Sequence, residues 1–201
     1  MLVIGLCGGS GSGKSTVTKK FEKYGVVSID ADKVYRELLF SGSTLLLQLK
    51  NAFGDKIIND DGTLNKKELS AIVFSDYEKE HYLPVLNSIT HAAIISETER
   101  RIEEFRQNGS IPAVIFDAPL LFEAGFDKKC DIIIAVTADT ETRIERIMMR
   151  DNITKEQAQQ RISAQLSDEF LIEHADYVIV NNGTAESLEK RVSELAEYIF
   201  K

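Results

Sequence analysis

Gly8-Gly9-Ser10-Gly11-Ser12-Gly13-Lys14-Ser15 decides the fold, because it fits G-x-x-x-x-G-K-[ST] at every fixed position. Before it runs Leu2-Val3-Ile4-Gly5-Leu6, a short apolar run that reads as a buried strand. After it, Ser15 to Tyr24 reads as a helix. A glycine-rich turn lets backbone N–H groups point inward without Cβ clashes. The helix N-terminus adds partial positive charge where phosphates would sit. Gly11, Ser12, Gly13, Lys14, Ser15 and Thr16 are therefore candidate nucleotide contacts. Lys14 can reach β- and γ-phosphates, and the Ser15 hydroxyl can ligate Mg²⁺.

Outward from the loop, short β-rich runs alternate with helical patterns. Val26-Val27-Ser28-Ile29 reads as a second strand running into Asp30-Ala31-Asp32, with a helix from Lys33 to about Phe40. Pro112 to Phe116 is a third strand ending at Asp117, Asp131 to Val136 a fourth, and Tyr177 to Val180 a fifth. Helices are expected over Ala138–Arg150, Thr154–Leu166, Asp168–His174 and Thr184–Phe200. That alternation predicts an α/β domain with a parallel sheet, its ligands at the carboxyl ends of the strands. Residues 44–108 differ. Leu45, Leu46, Leu49 and Phe53 suggest one amphipathic helix and Asn65 or Lys66 opens another. Ser75 or Asp76 is placed to cap a long one that carries Pro84 and runs to about Gln107. Consecutive helices exceed what a crossover needs, so the segment reads as an inserted helical subdomain.

Composition narrows the class. The 201 residues, 43% hydrophobic and 28% charged, suit one globular unit with room for such an insertion. A formal charge of −8 argues against a nucleic-acid partner. It also opposes a polyphosphate ligand, so the site must gather Lys, Arg and Mg²⁺ locally. The lack of a bilayer-length apolar run or an N-terminal targeting pattern predicts a soluble, cytoplasmic chain with no membrane partner. Cys7 and Cys130 make no disulfide or metal framework. Neither do His81, His91 and His174 stand at ligand spacing.

Several residues can carry chemistry. Asp117 ends an apolar strand, where a carboxylate either holds Mg²⁺ across from Ser15 or caps the following turn. Asp30 and Asp32 offer a proton acceptor for an attacking hydroxyl, or an N-cap for the helix at Lys33. Arg143, Arg146 and Arg150 fall within roughly 60° of one another on a helical wheel. Such a face either closes over a triphosphate, with Arg161 joining, or lies in solvent against Glu141 and Glu145. His91 either faces a ligand or packs.

Taken together, the motifs resemble dephospho-CoA kinases. Gly8–Ser15 matches that family's loop, Asp30-Ala31-Asp32 its D-A-D, and Pro119-Leu120-Leu121-Phe122-Glu123 its P-L-L-F-E. Arg146 to Asp151 matches R-x-x-x-R-D, Ala158 to Ile162 resembles A-x-x-R-I, and Ala175 to Gly183 resembles A-D-x-V-I-x-N-x-G. The resemblance covers nearly the whole chain. It implies a P-loop kinase fold, three-layer α/β/α with a five-stranded parallel sheet, in a single domain over 1–201. Residues 44–108 would be the CoA-side subdomain and 138–166 a helical lid. It implies transfer of the ATP γ-phosphate to the ribose 3′-hydroxyl of dephospho-CoA, with Mg²⁺ bound. By the same likeness Asp32 is the general base, and Lys14, Arg146 and Arg150 serve the transfer. Arg161, Asn181 and Gly183 would lie on the nucleotide side. His91, Leu120, Phe122 and Glu123 would lie on the acceptor side, although Glu123 can equally cap the next segment. The chain departs from the family where Ala92 follows His91, a position that often holds proline. Competing readings are another small-molecule P-loop kinase, acting on a nucleoside, a nucleoside monophosphate or shikimate, and a regulatory nucleotide-binding ATPase. Oligomeric state is left open.

Overall fold

A computed structural model of the chain describes residues 1–75, 79–119 and 121–201. In chain order the strands are β1 (Leu2–Cys7), β2 (Val27–Asp30), β3 (Ala113–Asp117), β4 (Ile132–Thr137) and β5 (Tyr177–Val180). The helices are α1 (Lys14–Phe21), α2 (Ala31–Leu38), α3 (Thr44–Phe53), α4 (Lys66–Val73), α5 (Lys79–Asn108), α6 (Thr140–Asp151), α7 (Lys155–Ser163), α8 (Asp168–Glu173) and α9 (Ala185–Ile199). The chain divides into two compact units, Met1–Asp30 with Glu104–Lys201, and Ala31–Glu103.

The first unit holds the sheet. All pairings are parallel, in the order β2-β3-β1-β4-β5. Its central strands β1, β3 and β4 are apolar on both faces up to the terminal Asp117 and Thr137, as parallel strands covered by helices must be. The edge strands β2 and β5 carry Ser28 and Asp30 and the exposed Val178 and Val180. Ile4, Leu6, Ile115, Ile134, Val136 and Ile179 form one core with Val17 and Phe21 of α1 and Leu188, Val192 and Ala196 of α9. Burying a side chain such as Phe21 contributes roughly 1.5–3 kcal/mol. That anchorage fixes the start of α1, and hence the loop that precedes it. On the other face, space beside Gly5 is filled by Leu121 and Cys130, and Phe116 packs on Phe126 at 4.4 Å between ring centres.

Each expected strand is present, with ends shifted by about one residue. Helix boundaries differ more, α2 ending at Leu38 rather than about Phe40 and α6 starting at Thr140 rather than Ala138. The helix after the loop ends at Phe21 and tightens into a 3₁₀ turn, Glu22–Tyr24, that closes on Gly25. The expected helix to Leu166 stops at Ser163, because Ser167 starts α8 by accepting a hydrogen bond from Phe170 N. The helix expected from Lys33 begins at Ala31, directly after β2, so Asp32 lies in its first turn and is not its cap.

The second unit is helical, built on Leu45, Leu46, Leu49, Phe53, Ile57, Leu64, Leu69 and Val73. Ser43 and Asn65 cap α3 and α4 through Leu46 N and Glu68 N. Asp76 and Leu120 lie outside the described residues. Among those described, no helix is long and apolar enough to cross a membrane.

Candidate active site

Every carbonyl of the phosphate loop from Gly8 to Ser12 accepts a hydrogen bond. Gly8 O accepts from Lys14 Nζ at 2.8 Å, Gly9 O from Ser12 N at 3.1 Å, and Ser10 O from Arg143 Nε at 3.0 Å. Gly11 O accepts from Arg146 Nη1 at 3.1 Å, and Ser12 O from Asn181 Nδ2 at 2.8 Å. Arg146 also gives Nη2 to Asn181 O at 3.0 Å. With these carbonyls occupied and Thr16 N bonded to Gly13 O at 3.0 Å, Lys14 N and Ser15 N at the start of α1 remain as orphan donors among the described residues. The N-cap, Gly13, supplies no side chain to satisfy them. Gly13 has a φ of 98°, and a Cβ there would sit 2.2 Å from Asn181 Nδ2. Glycine thus serves both the left-handed turn and the close approach of Asn181. The donor set fits a polyphosphate, and Ser15 and Thr16 are exposed at the same helix end. Ser12 Oγ is buried beneath the loop with no partner among the described residues.

Sheet register aligns the carboxylates. Asp117 pairs in register with Leu6 of β1 on one side and Asp30 of β2 on the other. A hydroxyl at Ser15 and a carboxylate at Asp117 are hard oxygen donors of the type Mg²⁺ takes alongside phosphate and water. Among the described residues no group of three or more His, Cys, Asp or Glu gathers to hold a metal by itself. Asp32 is exposed and makes no hydrogen bond or ion pair among the described residues.

The arginine face splits by destination. Arg143, 3% exposed, turns inward to Ser10 O, to Asp168 Oδ1 and Oδ2 at 3.0 Å each, and to Gln165 Oε1 at 3.4 Å. Arg146 reaches the loop carbonyls. Arg150 grips Asp151 with two 2.8 Å bonds, and Arg161 of α7 joins the same carboxylate. Arg150 first and Arg161 second hold the Asp151 carboxyl down to about 2. A solvated face would pair these arginines with Glu141 and Glu145. Instead, Glu141 pairs with Lys155.

Of the residues expected on the acceptor side, Phe122 is half-buried and packs edge-on against Phe170 and His174. Glu123 is exposed. The Cys7 thiol is pushed up to about 11, mainly by burial, while Lys14 pulls it down and Glu123 raises it. Glu123 and Lys14 therefore act on one spot at the end of β1. Burial pushes Cys130 up to about 12, so both thiols stay protonated and inert. His91 is half-buried on α5, Gly183 is exposed before α9, and Leu120 lies outside the described residues. Sequence reasoning missed Gln165 and Asp168. They stand 22 and 25 residues from Arg143, and no spacing rule links them.

The Dephospho-CoA kinase family profile matches residues 2–187 of this chain. A Dephospho-CoA kinase of Corynebacterium glutamicum is 40% identical over 195 residues, spanning 97% of this chain and 96% of that protein. A crystal structure from Thermus thermophilus superposes with a TM-score of 0.77 at 28% identity, over 98% of this chain and 97% of its own. The solved Dephospho-CoA kinase from Campylobacter jejuni gives a TM-score of 0.70 at 22% identity, over 98% and 96%. At that identity the likeness establishes the P-loop kinase fold.

Proposed function

This chain belongs to the dephospho-CoA kinase family, and we propose that it transfers the ATP γ-phosphate to the ribose 3′-hydroxyl of dephospho-CoA, giving coenzyme A and ADP in the last step of CoA biosynthesis. The observation that carries this reading is a phosphate loop whose carbonyls are all held by hydrogen bonds, inside a chain matched over nearly its full length. The O3′–Pγ bond forms as the bond from Pγ to the bridging oxygen of ADP breaks. The proton of the 3′-hydroxyl passes late to Asp32, because little negative charge leaves the nucleophile early in a loose transition state. The α1 N–H groups and Lys14 hold the β- and γ-phosphates in line. Ser15 and Asp117 are the residues that would hold Mg²⁺, which when bound neutralises charge between those phosphates. Arg146, Arg150 and Arg161, in a lid over 138–166, shield the triphosphate from water. Asn181 and Gly183 lie on the adenine side. His91, Leu120, Phe122 and Glu123 serve the acceptor, with 44–108 as the CoA-side subdomain. The net charge of −8 argues against nucleic acid as a partner, and use of ATP and dephospho-CoA fits a cytoplasmic enzyme.

The test incubates the protein with ATP and Mg²⁺ plus dephospho-CoA, adenosine, AMP, shikimate or buffer alone, and reads ADP. ADP release should track dephospho-CoA, with coenzyme A appearing in equal amount. Release that ignores dephospho-CoA, or follows another acceptor, overturns the assignment.

A further inference from the structure

The geometry points to Arg143, clamped by Asp168 and Gln165, as a positioning residue that sets ATP affinity by holding the phosphate loop in shape without touching ATP. This rests on the reading that the loop binds ATP. Arginine is almost never fully buried unless paired, and Arg143 is paired on every side. Its Nε holds Ser10 O at 3.0 Å, while Gln165 Oε1 accepts from Ser10 N at 2.8 Å and from Arg143 Nη2 at 3.4 Å. Both polar atoms of the Ser10 backbone are thus gripped by two side chains that also grip each other. A loop with glycine at 8, 9, 11 and 13 is soft. Were the peptide after Ser10 to rotate, its carbonyl would turn toward the phosphates and repel them. The brace removes that freedom before ATP arrives, so less ordering is left for binding.

Gly9 supplies an independent mark. It occupies a variable position of the phosphate-loop motif, where any residue is allowed. A Cβ there would lie 2.0 Å from Arg143 Nη2 and 2.7 Å from Cζ. The missing side chain makes room for the guanidinium. The forked, planar head is required as well, since it serves Ser10, Gln165 and Asp168 at once, which an ammonium group does not do in this geometry. Asp168, 27% exposed, neutralises the buried cation from the first turn of α8.

Arg143→Met, Arg143→Lys and Asp168→Asn in the full chain test the brace. ATP affinity is read by calorimetry without acceptor, then KM for each substrate and the melting temperature. Arg143→Met should weaken ATP binding by about tenfold or more, the size expected for losing charged hydrogen bonds. KM for dephospho-CoA should hold, and Arg143→Lys should recover part of the loss. A merely structural role lowers the melting temperature and leaves the ATP dissociation constant of the folded variant alone. A rise in that constant of less than about threefold in Arg143→Met overturns the inference. Should that variant not fold, the same limit applies to Asp168→Asn, which keeps the side-chain shape. A parent protein that binds ATP but does not phosphorylate dephospho-CoA sinks the functional assignment, and the Arg143 comparison still decides the brace. A parent that binds no ATP overturns both.

Discussion

Asp30 and Asp32 stand two residues apart, and their surroundings separate what spacing alone left joined. Asp30 closes β2 in register with Asp117. Asp32 sits in the first turn of α2, exposed and without a hydrogen bond or ion pair among the described residues. The cap alternative fails because the helix starts at Ala31, ahead of Asp32. A carboxylate not engaged in capping is available to a substrate hydroxyl. Asp32→Asn keeps the shape and removes the proton acceptor. It should lower kcat by about 10²- to 10⁴-fold, the usual reach of general base catalysis, with ATP affinity unchanged. Steady-state kinetics beside ATP calorimetry checks this, and a near-parental kcat removes Asp32 from the base role. The aspartate pair was legible in the sequence because it follows a short apolar run. The choice between cap and base was not, since helix starts read from sequence are uncertain by a residue or two.

Among the elements, α6 shows where helical periodicity stops informing. Arg143, Arg146 and Arg150 do fall on neighbouring parts of one helix face. Their destinations differ along the helix: Arg143 near its start is buried against Ser10 O, whereas Arg150 at its end is exposed, and Ile144 and Ile147 between them pack with Ala158 of α7. The join from α6 to α7 was more legible. Asn152 takes the left-handed conformation at φ 51°, and Thr154 and Gln157 close a capping box. Gln157 N donates to Thr154 Oγ1 at 3.3 Å, and Thr154 N to Gln157 Oε1 at 3.0 Å. The box fixes where α7 begins and so where it presents Arg161 to Asp151. Thr154→Ala should cost about 1 kcal/mol, for the lost acceptor leaves an N–H of the first turn unpaired. For a chain of this size that lowers the melting temperature by roughly 2–4 °C, measurable by calorimetry. An unchanged melting temperature means the box does not form in solution.

At the scale of the molecule, apolar runs between helices were enough to indicate a parallel α/β sheet, but not the order β2-β3-β1-β4-β5. Order depends on which strands pair across long separations, and a strand's own pattern says only that both of its faces are covered. The same limit hid the brace at Arg143, which joins residues from three separate stretches of chain. Charge is distributed just as non-locally. Although the chain is acidic overall, three carboxyls are held down to about 2 by basic partners. They are Asp151 through Arg150 and then Arg161, Glu97 through Arg100 and then Arg101, and Glu189 through Lys20 and then Lys23. Glu97 belongs to the helical unit, and the other two to the sheet unit. Unfolded, these groups titrate near 3.8 for Asp and 4.5 for Glu. Because the folded values are depressed, their contribution is fully present above those unfolded values and is lost as pH falls toward about 2. Glu189 is the most open to water of the three, and screening keeps its contribution small; the Asp151 side chain is 24% exposed and that of Glu97 17%. Glu97 is partly enclosed by two arginines and should matter most. The urea midpoint should therefore stay level from neutral pH down to about 5 and then fall steadily through 4 and 3. Glu97→Gln should start lower at pH 7 and lose less on acidification, because its pair no longer titrates. A midpoint that holds at pH 3, or a Glu97→Gln protein with the parent's full acid loss, would show that these pairs do not govern the acid limit.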